Sequence, residues 1–254
     1  MPEWNADYQQ KLVTRFDELA RSLRAPLADV TAGRVAPSLD DIAIGSARNL
    51  SAATLFFDIR GFTARTSSAD PEALKRTLIM LDCVIPTVMQ IVFDHGGYVE
   101  KNTGDGVMAL LGIGEERAVA ANRAIDVAVT TFSALRHIVN PALIRANIQA
   151  VDARIGIDLG TLLIARIGTA TGSSAHPRNF LTAVGPAANI ASKLQGKAGT
   201  NEIWVGNLVK DLAHDWRQQF FVRKDSLDQD WTWVIQGTQQ RYAYWHYNAK
   251  RAIP

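Results

Sequence analysis

The chain has 254 residues, of which 47% are hydrophobic and 20% charged. That composition suits one sizeable domain with a buried core and excludes a disordered or highly charged tail protein. Lys plus Arg number 27 and Asp plus Glu 25, a net charge of +2, which argues against nucleic acid or an anionic membrane as the main partner. The single cysteine, Cys83, excludes an internal disulfide and a multi-cysteine metal site; its apolar, helix-patterned surroundings fit a buried structural thiol. The opening residues, MPEWNADYQQ, are polar and do not read as a signal peptide. No 18-residue apolar stretch stands out, so the expectation is a cytoplasmic protein that does not span a bilayer.

In chain order, residues 5–24 carry an amphipathic helical pattern, with Tyr8, Leu12, Phe16, Leu19 and Leu23 at spacings of three and four. Basic and acidic residues share its polar face, as in a packing or dimerisation helix. Residues 25–50 form a loop-rich lead broken by Pro26, Gly33, Pro37 and Gly45. The domain division is therefore a 1–49 lead and a 50–254 folded domain. Ala52–Asp58 has strand character. Pro71–His95 predicts a long helix, capped by Asp70, opened by Pro71, closed by Gly96-Gly97 and open to a kink at Pro86. Tyr98–Lys101 and Val107–Leu111 read as a hairpin around Asn102–Gly106.

Glu115–Ile138 predicts a second amphipathic helix. Ala153–Ile157 and Leu162–Ile167 predict another hairpin about Leu159-Gly160, and Thr169–Asn179 a mobile loop. Pro186–Leu194 predicts a short helix, Glu202–Val205 a strand and Gly206–Asp215 a helix. Phe220–Val222, Trp231–Ile235 and Tyr242–Tyr247 close the chain as strands. Strands and helices mix without strict alternation, so the fold class is α+β, a sheet with helices packed on it.

Two segments carry the chemistry. In Leu55-Phe56-Phe57-Asp58-Ile59-Arg60-Gly61-Phe62-Thr63, a carboxylate ends an apolar strand beside a glycine turn. Hard divalent cations favour such a carboxylate with backbone carbonyls nearby, although a turn or cap aspartate has the same signature. In Gly96–Ala109 a second aspartate, Asp105, sits between glycines at a hairpin tip; an ordinary Asp-Gly turn is the alternative.

Together the segments resemble the class III nucleotide cyclases, the adenylate and guanylate cyclase family. The first matches its F-x-D-I-x-G-F-T strand end and the second its G-G-x-x-x-K-x-x-G-D hairpin. A third block, Thr182–Lys193, is similar to its helix for base and transition state. The resemblance covers roughly residues 50–248 and implies a ferredoxin-like, antiparallel-rich sheet in a head-to-tail homodimer. It implies that Asp58, Asp105 and the Ile59 carbonyl hold two divalent ions, Mn²⁺ or Mg²⁺, against a nucleoside triphosphate. It implies that Lys101 and Thr182 read the base, that Asn189 orients the ribose and that Lys193 stabilises charge on the α-phosphate. Each site would take its aspartates from one protomer and its base-reading residues, Asn189 and Lys193 from the other.

The chain departs from the family pattern in its phosphate ligands. Lys193 stands where the family has arginine, and a lysine lacks the bidentate fork. A second family arginine falls on Thr161, with Arg166 a nearby substitute, and a phosphate-binding lysine falls on Gln236, with Arg241 a substitute. At the base, Lys101 can only donate and Thr182 can donate or accept. The pair argues against guanine and leaves adenine and uracil open.

A bare cyclase domain with a degraded set of phosphate arginines looks like the stand-alone pyrimidine cyclases of the bacterial Pycsar anti-phage system. That resemblance implies cyclic UMP or cyclic CMP as product, with cyclic UMP favoured, read by a separate effector protein. A bacterial adenylate cyclase making cyclic AMP is the alternative within the family, and a catalytically silent dimerisation or nucleotide-sensing module the alternative outside it. The C-terminal aromatics Trp231, Trp233, Tyr242, Tyr244, Trp245 and Tyr247 could stack on bases, but without a basic stripe they read as a packed face. No histidine spacing suggests a metal site. Asp158, beside Gly160, is expected to be structural.

Overall fold

The computed structural model describes residues 31–32, 41–169, 179–235 and 237–248. The helix expected over 5–24, nearly all of the 169–179 loop and Gln236 lie outside them. The chain forms two compact units. In the smaller, β1 (Thr31–Ala32) pairs in parallel with Arg48 and Asn49, and β6 (Asn179–Val184) pairs antiparallel with Leu163–Gly168.

The larger unit contains Ser51–Leu162 and Gly185 onward. Its sheet runs β3 (Tyr98–Asn102), β4 (Gly106–Leu111), β2 (Ala47–Ile59), β5 (Ala153–Gly168), β7 (Ile203–Gly206), β9 (Tyr244–Tyr247) and β8 (Phe221–Arg223). The ladders β2–β4, β3–β4, β7–β9 and β8–β9 are antiparallel, and β5–β7 is parallel. This is the expected α+β, antiparallel-rich sheet with helices packed on it.

The helices follow their sequence signals closely. After a short α1 (Phe62–Arg65), α2 (Pro71–Asp94) starts where the Asp70 carboxylate accepts the Ala73 amide at 2.9 Å. Met80, Val84, Val88 and Val92 recur every four residues and are buried. They meet Leu55, Phe57 and Ile59 of β2 and Ala121, Ala124, Ile125 and Ala128 of α3 (Arg117–Ala134) in one core. The helix runs through Pro86, whose ring is on the exposed side. Cys83 is only partly buried, packed against that core. After α3 the chain continues through a π-helical turn (Leu135–Val139) into α4 (Asn140–Arg145), further than expected. By length and composition α2 and the α3–α4 stretch could each cross a bilayer, so the expectation of no such segment is corrected. Their apolar faces supply the core just described.

Two further expectations are overturned. Residues 153–168 make one long strand instead of a hairpin. Gly160 does not take the positive φ that a tight hairpin turn uses, Leu159 is buried in the core, and the strand has partners along both ends, β7 beside Ile155–Ile157 and β6 beside Leu163–Gly168. Trp231–Ile235 is not a strand either. It makes one isolated bridge, Val234 to Arg241. Its Trp231 is buried, donates its indole N–H to the Tyr242 carbonyl at 2.7 Å and packs edge-on against Tyr244. Trp231, Trp233, Tyr242 and Tyr244 thus form a cluster with Ile190 and Leu194 of α5 (Pro186–Lys197), whereas Trp245 and Tyr247 pack with the helical core. The Gly206–Asp215 helix is α6 (Asn207–Leu212), followed by a 3₁₀ turn at Asp215–Phe220.

β5 uses its two faces differently. Ala153, Ile155, Ile157 and Leu159 enter the helical core, whereas Arg154, Gly156 and Asp158 share the opposite face by strand alternation. At Gly156 a Cβ would lie 2.2 Å from the Ala191 carbonyl oxygen and 2.3 Å from the Gln195 nitrogen of α5. Only glycine admits that helix so close to the sheet. Asp158 is buried, and its carboxylate accepts the Tyr242 hydroxyl at 2.6 Å, the structural role expected of it. It thereby ties the C-terminal segment to the centre of the sheet.

Gly156→Ala forces backbone against backbone, and we expect a loss of about 1–3 kcal/mol of stability, measured by urea unfolding. Burial pushes the Asp158 carboxyl up to about 7, from 3.8 in the unfolded chain. The folded protein therefore keeps this proton across a range where the unfolded chain has lost it, so stability falls as pH rises from about 4 to about 7. The thermal midpoint of the wild-type protein relative to that of Asp158→Asn should decline over that interval and level off above it.

Candidate active site

β2 alternates, so Leu55, Phe57 and Ile59 point into the helical core while Asp58 lies on the other face with 21% of its side chain exposed. In the β2–β4 ladder Asp58 stands opposite Gly106, which sets Asp105 beside the end of β2. The Ile59 amide donates to the Asp105 carbonyl at 3.0 Å. A Cβ at Gly106 would lie 2.6 Å from the Phe57 carbonyl, so the glycine is what lets the hairpin come this close. Asp58, Ile59 and Asp105 are therefore brought together as predicted. The Ile59 side chain is buried, and only its backbone can serve the site.

The local electrostatics suit a cation. Burial, and then the charge of Asp58, hold the Asp105 carboxyl above the usual carboxylate range; a backbone hydrogen bond and Arg154 oppose the shift. Two carboxylates of like charge at one end of the β2–β4 ladder form a hard oxygen donor set suited to Mg²⁺ or Mn²⁺. Among the described residues no group of three His, Cys, Asp or Glu side chains converges on a metal position. A bound cation would therefore need further oxygens from water or a polyphosphate.

Arg154 of β5 was missed in the sequence reading. Its Nε donates to Asp58 Oδ2 at 2.8 Å and its Nη1 to the Gly196 carbonyl at 3.0 Å. The signal available was a lone arginine on the same strand face as Gly156 and Asp158; its partner, 96 positions away in sequence, was not readable.

The remaining predicted residues fall in three places. Asn189 and Lys193 lie four residues apart on the exposed side of α5, whose opposite side presents Ile190 and Leu194 to the aromatic cluster. That amphipathicity orients both polar side chains outward. Lys101 is on β3, next to a register shift between Val99 and Lys101, with its ammonium 3.0 Å from the Glu100 carboxylate. Arg241 donates to the Asp228 carbonyl near the C-terminal end of α5, where Lys197 also pairs with Asp228 at 2.8 Å. Thr182 and Arg166 belong to the smaller unit. Thr182 stands opposite Ala165 on β6. Arg166 donates from Nε to Asn179 at 2.8 Å and from Nη1 to the Ile42 carbonyl at 3.0 Å. Thr161 is exposed on β5.

The profile of the adenylate and guanylate cyclase catalytic domain matches residues 46–245. An adenylate cyclase of Anabaena cylindrica is 26% identical over 184 residues, covering 70% of this chain and 34% of that protein. A cytidylate cyclase of Escherichia coli is 30% identical over 166 residues, covering 63% of this chain and 35% of that protein. The chain thus spans about a third of the length of these curated relatives. Among solved structures, the guanylyl cyclase Cya2 superposes with a TM-score of 0.62 at 21% identity, over 80% of this chain and 93% of that one. The adenylyl cyclase CyaB from P. aeruginosa gives 0.61 at 20% identity, over 79% and 95%; both likenesses concern the fold. With the profile covering most of the chain, the chain belongs to the adenylate and guanylate cyclase catalytic domain family.

Proposed function

We propose that this chain is a nucleotide cyclase that converts a nucleoside triphosphate into a 3′,5′-cyclic nucleotide and pyrophosphate. The observation that carries the reading is the juxtaposition of Asp58 and Asp105 across the β2–β4 ladder. Two divalent cations, Mn²⁺ or Mg²⁺, held by these carboxylates and the Ile59 carbonyl would supply charge neutralisation on the triphosphate and favour ionisation of the ribose 3′-hydroxyl. Asn189 orients the ribose, and Lys193 holds the charge that develops on the α-phosphate. The 3′-oxygen then bonds to the α-phosphorus, the bond from that phosphorus to the pyrophosphate oxygen breaks, and the 3′ proton leaves to solvent. Little else is asked of the protein than positioning and electrostatics. Arg166 and Arg241 are the candidates for further phosphate contacts.

The protein acts as a head-to-tail homodimer, because Asp58 and Asp105 of one protomer need Asn189, Lys193, Lys101 and Thr182 of the other. A donor-only Lys101 and a Thr182 that donates or accepts suit uracil O4 with N3–H. With the related cytidylate cyclase of Escherichia coli, they support a pyrimidine substrate, UTP first. In that reading the product is cyclic UMP, a cytoplasmic anti-phage messenger read by a separate effector protein. The adenylate reading also has support, since Lys101 can donate to adenine N1 and the Anabaena relative is an adenylate cyclase.

Incubation of the purified protein with ATP, GTP, CTP or UTP and Mn²⁺ or Mg²⁺, with products identified by mass spectrometry, should yield cyclic UMP. Cyclic AMP would move the protein to ordinary cyclic-AMP signalling, and no product from any triphosphate would mark a silent module. Asp58→Ala and Asp105→Ala should each cost at least about a hundredfold in rate, equivalent to roughly 3 kcal/mol of transition-state stabilisation, while circular dichroism stays native. Mixing Asp58→Ala chains with Asn189→Ala chains should restore part of the activity, because one intact composite site forms per mixed dimer. Absence of rescue under verified subunit exchange would sink the shared site.

A further inference from the structure

On the helical side of the larger unit, a cavity of about 770 Å³ opens between the C-terminus of α2, one face of α3 and His214. α2 and α3 cover the sheet face that carries Leu55, Phe57 and Ile59, and Asp58 lies on the other face by strand alternation. The cavity is therefore separate from the candidate active site. Along α3 its wall is Val119, Asn122, Arg123 and Asp126, the i, i+3, i+4, i+7 face of a helix. At about 1.5 Å per residue that wall is about 10 Å long, which makes the cavity a trough.

The charges along the trough leave one carboxylate unmatched. Arg123 is engaged by Glu115 at 2.6 Å, and the Asp126 carboxylate accepts from the buried Arg217. Asp94 has no such counterpart: among the described residues its carboxylate accepts only the neutral Gln90 amide, at 2.7 Å. It stands in the last turn of α2, which holds no basic residue, at the helix end where the dipole favours a cation. Beside it, His95 has Nδ1 2.8 Å from the Ile91 carbonyl. A carbonyl can only accept, so in the neutral ring Nδ1 carries the proton and Nε2 is left as an acceptor. Ala118 and Val119 add apolar surface, Val119 being 44% exposed. Among the described residues no three His, Cys, Asp or Glu side chains converge on a metal position. The acceptors are spread along the wall, which suits cationic centres joined by a chain better than a single ion.

We propose that this trough binds a linear aliphatic polyamine. One terminal ammonium donates to the Asp94 carboxylate and to His95 Nε2. The methylenes lie along Ala118 and Val119, and a second ammonium reaches Asp126 Oδ2, the oxygen that the Arg217 pair leaves available on a side chain 48% exposed. Such a site needs neither the divalent cations nor the dimer of the cyclase.

Isothermal titration of the nucleotide-free full chain with spermidine should show one saturable site per chain. Asp94→Asn removes a charge-assisted pair, and Val119→Lys puts an ammonium into the trough; each should weaken binding about tenfold or more. Both positions are exposed, so neither change disturbs the core. Asp82→Asn removes the same charge from another exposed position of α2 and should leave the affinity within about twofold. Asp58→Ala should bind as the wild type does, because the active-site carboxylates take no part. Absence of saturable binding at millimolar spermidine would overturn the site, as would wild-type affinity in Asp94→Asn or Val119→Lys. A comparable loss in Asp82→Asn would reduce the binding to general charge attraction, and one in Asp58→Ala would move it to the cation site; either result would overturn the trough as well.

Discussion

Two carboxylates held side by side across an antiparallel ladder are an electrostatic cost, and the site is organised around that cost. The β2–β4 register sets Asp58 against Gly106 and draws Asp105 alongside. Burial pushes the Asp105 carboxyl upward, and the like charge of Asp58 adds to the effect. A relaxed loop would let the charges part. Here they cannot, because β2 and β4 are packed into the core and the hairpin lies against the β2 backbone. Backbone pairing thus preserves a charge arrangement that a divalent cation relieves, which is preorganisation in the sense that matters for metal-assisted phosphoryl chemistry.

The same logic of close approach runs through β5. One face of the strand is apolar and enters the helical core; the other carries Arg154, Gly156 and Asp158, each meeting a different neighbour. Arg154 links the sheet to Asp58 and to the end of α5, Gly156 admits α5, and Asp158 ties down Tyr242. The aromatic cluster then backs α5 from its apolar side through Ile190 and Leu194. The helix carrying Asn189 and Lys193 is therefore held by packing on one side and by a guanidinium at its end, with both polar side chains left facing outward.

Against the family pattern that the sequence resembles, this chain departs at Lys193, Thr161 and Gln236 and keeps Asp58, Asp105 and Asn189. Lys193 retains charge without the fork of an arginine, and Thr161 retains neither. Loss of bidentate contacts costs orientation more than it costs attraction.

Local signals made much of this legible in the sequence. Asp70, Pro71 and the period of apolar residues delimited α2 because capping and amphipathicity act within a few residues. The F-x-D-I-x-G-F-T and G-G-x-x-x-K-x-x-G-D segments identified Asp58 and Asp105 because strand end and hairpin tip are local geometries too. Where the reading failed, the deciding partner was distant. Residues 159–160 look like a turn until β6 and β7 are seen to hold both halves of β5 extended, and Trp231–Ile235 alternates like a strand although its aromatics answer to α5 and Tyr244. Arg154 carried no motif at all, since its meaning comes from Asp58 and Gly196, which reach it only when β2, β5 and α5 pack. The sequence by itself determined the family and the main helices, because these are written in short-range spacing. Tertiary structure alone decided which charges meet, because an ion pair depends on distance in space and chain separation carries no record of it.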